Sequence, residues 1–215
     1  MARVVVINPN SSLACSAAID SALEPFRFPG GPEFAVTTLA EGPPAIYDWR
    51  DWHAVAGPLC RVVTYEVADC YIIACASDPG LEAARALARA PVLGVFRSAV
   101  AAATAQAERF GVIAIVEASK ARHLAALRAM GLEARLAAEV ALNVSMETLL
   151  EPETVRARLI EAAQVLRTAG AEAVVLGCTG MARHRHAVES EVGVPVIEPC
   201  QAAAALALRV VLGAA

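Results

Sequence analysis

The sequence predicts an α/β protein of two pseudo-symmetric lobes, each built on a parallel sheet, with a site in the cleft between them. Three observations carry that expectation. Short runs rich in Val and Ile alternate with longer helical stretches along the 215 residues, the pattern of layered α/β folds with right-handed crossovers. The runs are continuously apolar, as expected of parallel strands covered on both faces. And one segment recurs: Ala68-Asp-Cys-Tyr-Ile-Ile-Ala-Cys75-Ala-Ser77 is matched by Ala171-Glu-Ala-Val-Val-Leu-Gly-Cys178-Thr-Gly180. Each begins with Ala and an acid, runs apolar into a cysteine and ends in two small residues. Each is followed, 16 or 17 residues after the cysteine, by a Pro-apolar run, Pro91-Val-Leu-Gly94 or Pro195-Val-Ile197.

Taken in order, Arg3-Val-Val-Val-Ile7 opens a strand over 4–8, and Asn8-Pro-Asn-Ser-Ser12 offers caps for a helix over 12–23. Phe26-Arg-Phe-Pro-Gly-Gly-Pro32 and Glu41-Gly-Pro-Pro44 are turn-rich loops on either side of a strand at 34–39. Asp48 and Asp51 are cap candidates for a helix over 51–67. After a strand at 71–75, Ser77-Asp78-Pro79 reads as the start of a helix over 81–89, a capping residue followed by proline in the first turn. A strand at 91–95, a helix at 98–109, a strand at 111–116 and a helix at 119–130 follow. Helix 152–168 leads into strand 173–178, and helices at 182–191 and 201–212 flank the last strand at 195–197. The repeat divides the chain into a first lobe, 1–96 plus 198–215, and a second, 97–197, with the last helix packing back on the first lobe.

Composition narrows the function classes. A net charge of −4 with scattered charges lacks the footprint of a nucleic-acid binder, and Arg183-His-Arg-His186 reads as a solvated helix face. The hydrophobic fraction of 57% is largely alanine lining helices. No uncharged stretch is long enough to cross a bilayer, and no basic-then-apolar leader opens the chain. The expectation is a cytoplasmic protein with a small-molecule substrate and neither nucleic-acid nor membrane partner. The six cysteines, Cys15, Cys60, Cys70, Cys75, Cys178 and Cys200, are too sparse for a disulfide scaffold and lack zinc spacing. Cys15, Cys60 and Cys70 read as buried apolar residues, and no metal is expected.

Cys75 and Cys178 are the chemical candidates. Ligands of such sheets gather beyond the carboxyl ends of strands, where both cysteines fall. A thiol ionises near pH 8.5 and its thiolate is the useful base. Ahead of a helix amino end, partial positive charge favours the thiolate, with Thr179 placed to cap after Cys178 as Ser77-Asp78 does after Cys75. Loop N–H groups there can hold an oxyanion. Two thiols facing each other suit removal of a proton from one side of a carbon and delivery to the other. The bland reading is two buried strand-end fillers, against which the matched settings speak. Asn8, Asn10, Ser11 and Ser12 are substrate-binding or capping residues. Glu117 is an acid, a base or a first-turn charge; His53 and His123 read as structural or surface residues; Arg97 meets an anion in the cleft or faces solvent.

These residues resemble the aspartate/glutamate racemase superfamily, and most closely its hydantoin racemase branch, allantoin racemases included. Ile7-Asn-Pro-Asn-Ser-Ser12, Gly42-Pro43 with Ile46 and Asp51, Cys75-Ala-Ser-Asp-Pro-Gly-Leu81, Ala84-Arg85 with Pro91-Val-Leu-Gly94, and Leu176-Gly-Cys-Thr-Gly-Met181 are similar to that branch's motifs. The resemblance implies a cofactor-independent racemase, a homo-oligomer, in which one cysteine thiolate takes the proton from C5 of a 5-substituted hydantoin and the other, as a thiol, reprotonates the opposite face. Asn8, Asn10, Ser11, Pro43, Ser77, Thr179 and Gly180 are the substrate-binding candidates it suggests. Two positions depart from the pattern. Arg97 stands where Gly-Ile-Gly-Glu-Ala is common, and Tyr47 replaces a commonly acidic residue, so an acidic substrate is an open alternative. Others are an allantoin racemase and a dicarboxylate cis-trans isomerase. The branch of arylmalonate decarboxylases needs only the later cysteine, and glutamate racemases typically carry Asn and His beside theirs. From other classes, a silent small-molecule binding protein and a cysteine hydrolase with a His base are carried forward.

Overall fold

The computed structural model describes residues 1–149 and 152–213 and contains two four-stranded sheets, every strand pairing parallel. In the first, β1 (Arg3–Asn8), β2 (Glu33–Thr38), β3 (Cys70–Ile73) and β4 (Val92–Gly94) lie in the order β2-β1-β3-β4; in the second, β5 (Phe110–Ala114), β6 (Leu136–Ala141), β7 (Ala173–Gly177) and β8 (Val196–Ile197) lie in the order β6-β5-β7-β8. The two sheets have the same connectivity, so β3 and β7 are equivalent strands. The chain runs from β1 to one neighbour, then crosses to the other side for β3. That reversal leaves a crevice beyond the strand ends, and it recurs between β5 and β7.

Alternate residues of each strand feed opposite faces. Val4, Val6 and Ile72 pack into one apolar cluster of the first sheet, and Val5, Ile7, Tyr71 and Ile73 into the other. The second sheet repeats this, with Val112 and Val175 on one side and Ile113 and Leu176 on the other. Each such buried aliphatic side chain contributes about 1.5–3 kcal/mol, and burial of both faces is why the strands read as unbroken apolar runs.

The helices are α1 (Leu13–Ala22), α2 (Trp49–Ala54), α3 (Ala56–Tyr65), α4 (Leu81–Leu87), α5 (Val95–Thr104), α6 (Ser119–Met130), α7 (Met146–Leu149), α8 (Pro152–Thr168), α9 (Arg185–Val192) and α10 (Pro199–Leu212). Buried Cys200, Ala203, Ala204 and Ala207 of α10 sit on the first sheet's core, whereas Phe96, Ala99, Val100 and Ala103 of α5 sit on the second's. Among the described residues, no helix is long and apolar enough to cross a membrane.

Four local expectations are corrected. The single helix over 51–67 is two, α2 and α3, because Pro58 has no N–H to donate to the carbonyl four residues back; the second helix restarts with Leu59 N bonded to Val55 O. Strand β6 lies in a stretch read as having no element. Its sequence, Leu136-Ala-Ala-Glu-Val-Ala141, is helix-forming by composition and half-buried throughout, but it supplies hydrogen-bond partners to the open edge of β5. The segment after Cys178 is a 3₁₀ turn over Thr179–His184 before α9, with no side-chain cap from Thr179.

The fourth correction concerns Asp78, which does not start α4; that helix begins after Gly80, at φ 66°. Asp78, itself at φ 48°, instead accepts from the first-turn N–H groups of α5, Phe96 and Arg97, at 2.9 Å each. It does the work of an N-cap residue from a distance in sequence, which is why α5 begins at 95 rather than 98. Gly94 follows: a Cβ there would lie 2.3 Å from the Asp78 Cγ.

Candidate active site

Between the carboxyl ends of the two sheets lies a small cavity whose wall includes both repeated cysteines. Cys75 follows β3 and Cys178 follows β7, so the internal duplication delivers one thiol from each sheet. The i+2 backbone N–H of each motif, Ser77 and Gly180, pulls the pKa of its cysteine down. The Cys75 Sγ also lies 3.6 Å from the Ser77 hydroxyl, and the Cys178 Sγ lies 3.9 Å from the Met146 Sδ.

Burial runs against the expectation of two easily ionised thiols. Each sulfur reaches the cavity but little bulk water, and burial pushes both pKa values up. At Cys75 the Ser77 hydroxyl and N–H and the Arg122 cation pull back. Cys178 is pushed up to about 12, by burial first, with the Gly180 N–H opposing and Cys75, Cys15 and Glu198 adding to it. Loop N–H groups offset only part of what desolvation costs.

Of the other sequence candidates, Asn10, Ser77 and Thr179 line the cavity; Asn8, Ser11, Pro43 and Gly180 do not. Asn8 is fully buried and builds the loop that presents Asn10, donating to Asn10 Oδ1 at 3.1 Å and Ser16 Oγ at 3.0 Å. Ser11 N donates to Pro43 O at 3.0 Å, tying the loop after β1 to the Gly42-Pro43 loop. Those loops touch so closely that a Cβ on Gly42 would meet Pro9 O at 2.4 Å. The side of Gly180 that would carry a Cβ faces Leu149, and the residue bears on the site through the pull of its N–H on the Cys178 pKa. Glu117 is exposed and pairs with Lys120 at 2.8 Å; His53 stacks on Trp49.

Arg97 is not in this cavity. It pairs with Glu82 outside it, so it supplies no charge to the wall beside the thiols. The cation there is Arg122, 3% exposed, in the first turns of α6. Beside it His123, 1% exposed, holds Glu139 of β6 through Nδ1 at 2.5 Å and stacks on Phe96, with centroids 4.5 Å apart. Ser119 and Met146 line this wall without having been singled out in the sequence, and Tyr47, noted there only as a lost acid, lines it as well. A signal existed: Ser119, Arg122 and His123 are spaced i, i+3, i+4 on the helix after β5, beyond a strand's carboxyl end.

Tyr47 spans the cleft. Its hydroxyl accepts from Met146 N at 2.9 Å and its carbonyl accepts from Arg122 Nη1 at 3.1 Å, both across to the second lobe. Among the described residues, no cluster of three or more His, Cys, Asp or Glu could hold a metal ion.

This geometry can be set against known proteins. The Asp/Glu/Hydantoin racemase family model matches residues 4–207. The chain belongs to that family. It is 32% identical over 213 residues to a hydantoin racemase of Paenarthrobacter aurescens, covering 95% of this chain and 89% of that protein. Its fold is similar to that of an allantoin racemase from Klebsiella pneumoniae, with a TM-score of 0.90 and 32% identity over 100% of this chain and 89% of that one. An allantoin racemase from Pseudomonas fluorescens gives a TM-score of 0.91 at 25% identity over 98% and 92%. The family's two-lobed architecture agrees with the paired sheets.

Proposed function

We propose that this protein is a cofactor-independent isomerase that racemises 5-substituted hydantoins with Cys75 and Cys178 as its two acid/base groups. One observation carries the reading: thiols at equivalent ends of β3 and β7 open into one small cavity. A proton-transferring pair must approach a carbon from two faces, and internal pseudo-symmetry provides that.

In the reacting form one cysteine is a thiolate and the other a thiol. The Cys75 thiolate takes the C5 proton, and the electron pair left on carbon delocalises into the adjacent ring carbonyl as an enolate. The Cys178 thiol gives its proton to the opposite face of C5, and the negative charge now resides on Cys178 while Cys75 is a thiol. The opposite enantiomer is processed with the roles exchanged. Asn10, Ser77 and Thr179 hold the ring from the cavity wall, and the expectation of an acidic substrate based on Arg97 is dropped with that residue's displacement to the outer ion pair.

A ureido group at C5 makes allantoin a member of the same substrate class. The similarity to two allantoin racemases favours it as the first substituted hydantoin to try. The deciding experiment follows one enantiomer of 5-methylhydantoin, then of allantoin, in D₂O by optical rotation and C5–H NMR. The Cys75→Ala/Cys178→Ala double variant and buffer alone give the background. Enzyme-dependent loss of rotation with deuterium entering C5 is expected. Rates equal to background for both compounds would sink the racemase reading and leave a silent binding protein; an acyl adduct on one cysteine would instead indicate a hydrolase.

A further inference from the structure

One buried cation in the cavity wall is unused by the two-thiol chemistry. Arg122 Nη1 donates to the carbonyls of Tyr47 and Ala118, and Nη2 donates to Ser119 Oγ, all at 3.1 Å. A guanidinium has five N–H donors, so one on Nη2 and the one on Nε remain, and Nε is buried with no partner. Among the described residues, no carboxylate lies within ion-pair distance of Arg122; its Cζ lies over the Trp49 ring, 6.0 Å from the centroid. An unsatisfied buried donor on a charged group is costly, and it is kept here in the wall shared with both thiols.

We propose that Arg122 is the oxyanion-binding residue of this cavity: its guanidinium, not fully used by its three hydrogen bonds, receives the substrate oxygen that gains negative charge when the adjacent carbon loses its proton. The proposal rests on the racemase reading and narrows it to carbon acids with a carbonyl or carboxylate oxygen next to the acidic carbon. When the thiolate takes the proton, the electron pair moves onto that oxygen, and a donor already fixed by three bonds stabilises it without reorganising. The side chain comes from the second lobe, while Cys75 comes from the first, so substrate is held across the cleft. Attraction between Arg122 and Cys75 acts on both groups, so the same cation favours Cys75 over Cys178 as the thiolate of the unliganded protein.

The test compares two planar rings by calorimetry at pH 7: barbiturate, a cyclic diamide already deprotonated at its ring carbon, and neutral hydantoin. The parent protein is expected to prefer barbiturate. Arg122→Gln is expected to lower that preference by about tenfold or more, the worth of a hydrogen bond to a charged group, with hydantoin binding little changed. An equal loss for both rings would assign Arg122 to holding the Tyr47 loop and overturn the proposal. So would a parent protein without preference, or one that binds neither ring. Arg122→Met, which removes the charge and the donors at similar length, replaces Arg122→Gln if the latter does not fold, with the same ratio deciding. Deuterium exchange into 5-methylhydantoin by the parent protein reports separately on the racemase reading: no exchange with a retained ring preference would sink that reading alone.

Discussion

Cys75 and Cys178 hold equivalent places in unequal surroundings. Both are raised by burial, but Cys75 has a hydroxyl and a cation beside it, whereas Cys178 has a thioether contact and a buried carboxylate, Glu198, within electrostatic reach. If each serves one face of the substrate, removing one leaves half a reaction. Cys178→Ala is expected to lower racemisation by at least about 10²-fold, the usual scale of acid–base catalysis, while exchanging the C5 proton of one enantiomer with retention. Cys75→Ala is expected to exchange the other enantiomer. NMR of each enantiomer in D₂O reads this directly, and the same preference in both variants would count against a two-face mechanism. Because both thiols are raised, kcat/KM is expected to keep rising through the pH range in which an ordinary thiol, near 8.5, has already ionised.

At the scale of elements, the helix starts carry information that runs between segments. Asp78 caps α5 rather than the helix that follows it, and Gly94 is small because Asp78 fills the space of its Cβ. Glu198 caps α10 more conventionally, accepting from Gln201 N at 2.6 Å with Pro199 at the first helical position. It is 1% exposed, its Oε1 has no partner, and burial raises its pKa to about 7. The sign of the consequence is definite. The unfolded chain releases this proton near 4.5 and the folded one near 7, so folding stability falls as pH rises between those values. Glu198→Gln is expected to remove that loss. Relative to the parent, the variant should gain on the order of 2–3 kcal/mol between pH 4.5 and pH 8. Urea unfolding at the two pH values measures it, and a difference independent of pH would mean Glu198 is already ionised in the fold.

Over the whole molecule, two lobes share one cavity and are joined by contacts that cross it. Tyr47 belongs to the loop after β2, yet its ring packs on the second lobe's apolar cluster and its hydroxyl accepts from Met146 N. α10 adds a second tie, lying against α5 while its alanine face covers the first sheet. Tyr47→Phe keeps the packing and removes the acceptor. Loss of one such hydrogen bond, about 0.5–1.5 kcal/mol, is expected to lower Tm by about 1–6 °C and, by loosening the cavity wall, to raise KM with kcat little changed. Steady-state kinetics with a thermal melt reads both, and an unchanged Tm and KM would mean the bond does not tie the lobes.

What the sequence determined by itself is whatever depends on order along the chain. The strand–helix alternation, the two-lobed parallel fold and the placement of Cys75 and Cys178 after matched apolar runs were legible because local periodicity and internal repetition need no tertiary contact to be seen. The family was legible for the same reason: its motifs are contiguous. β6 was not, since an edge strand of Ala and Glu is made by the partner edge of β5 and not by its own propensity. Nor were the cap from Asp78 to α5, the removal of Arg97 to an outer pair with Glu82, or the entry of Arg122 and Tyr47 into the cavity. Each pairs residues distant in sequence, and only packing decides which of several charged side chains is buried beside a thiol. The direction of the thiol pKa shifts escaped the sequence for that reason too: the loop N–H groups are written locally, whereas the burial that outweighs them is made by the tertiary packing around each sulfur.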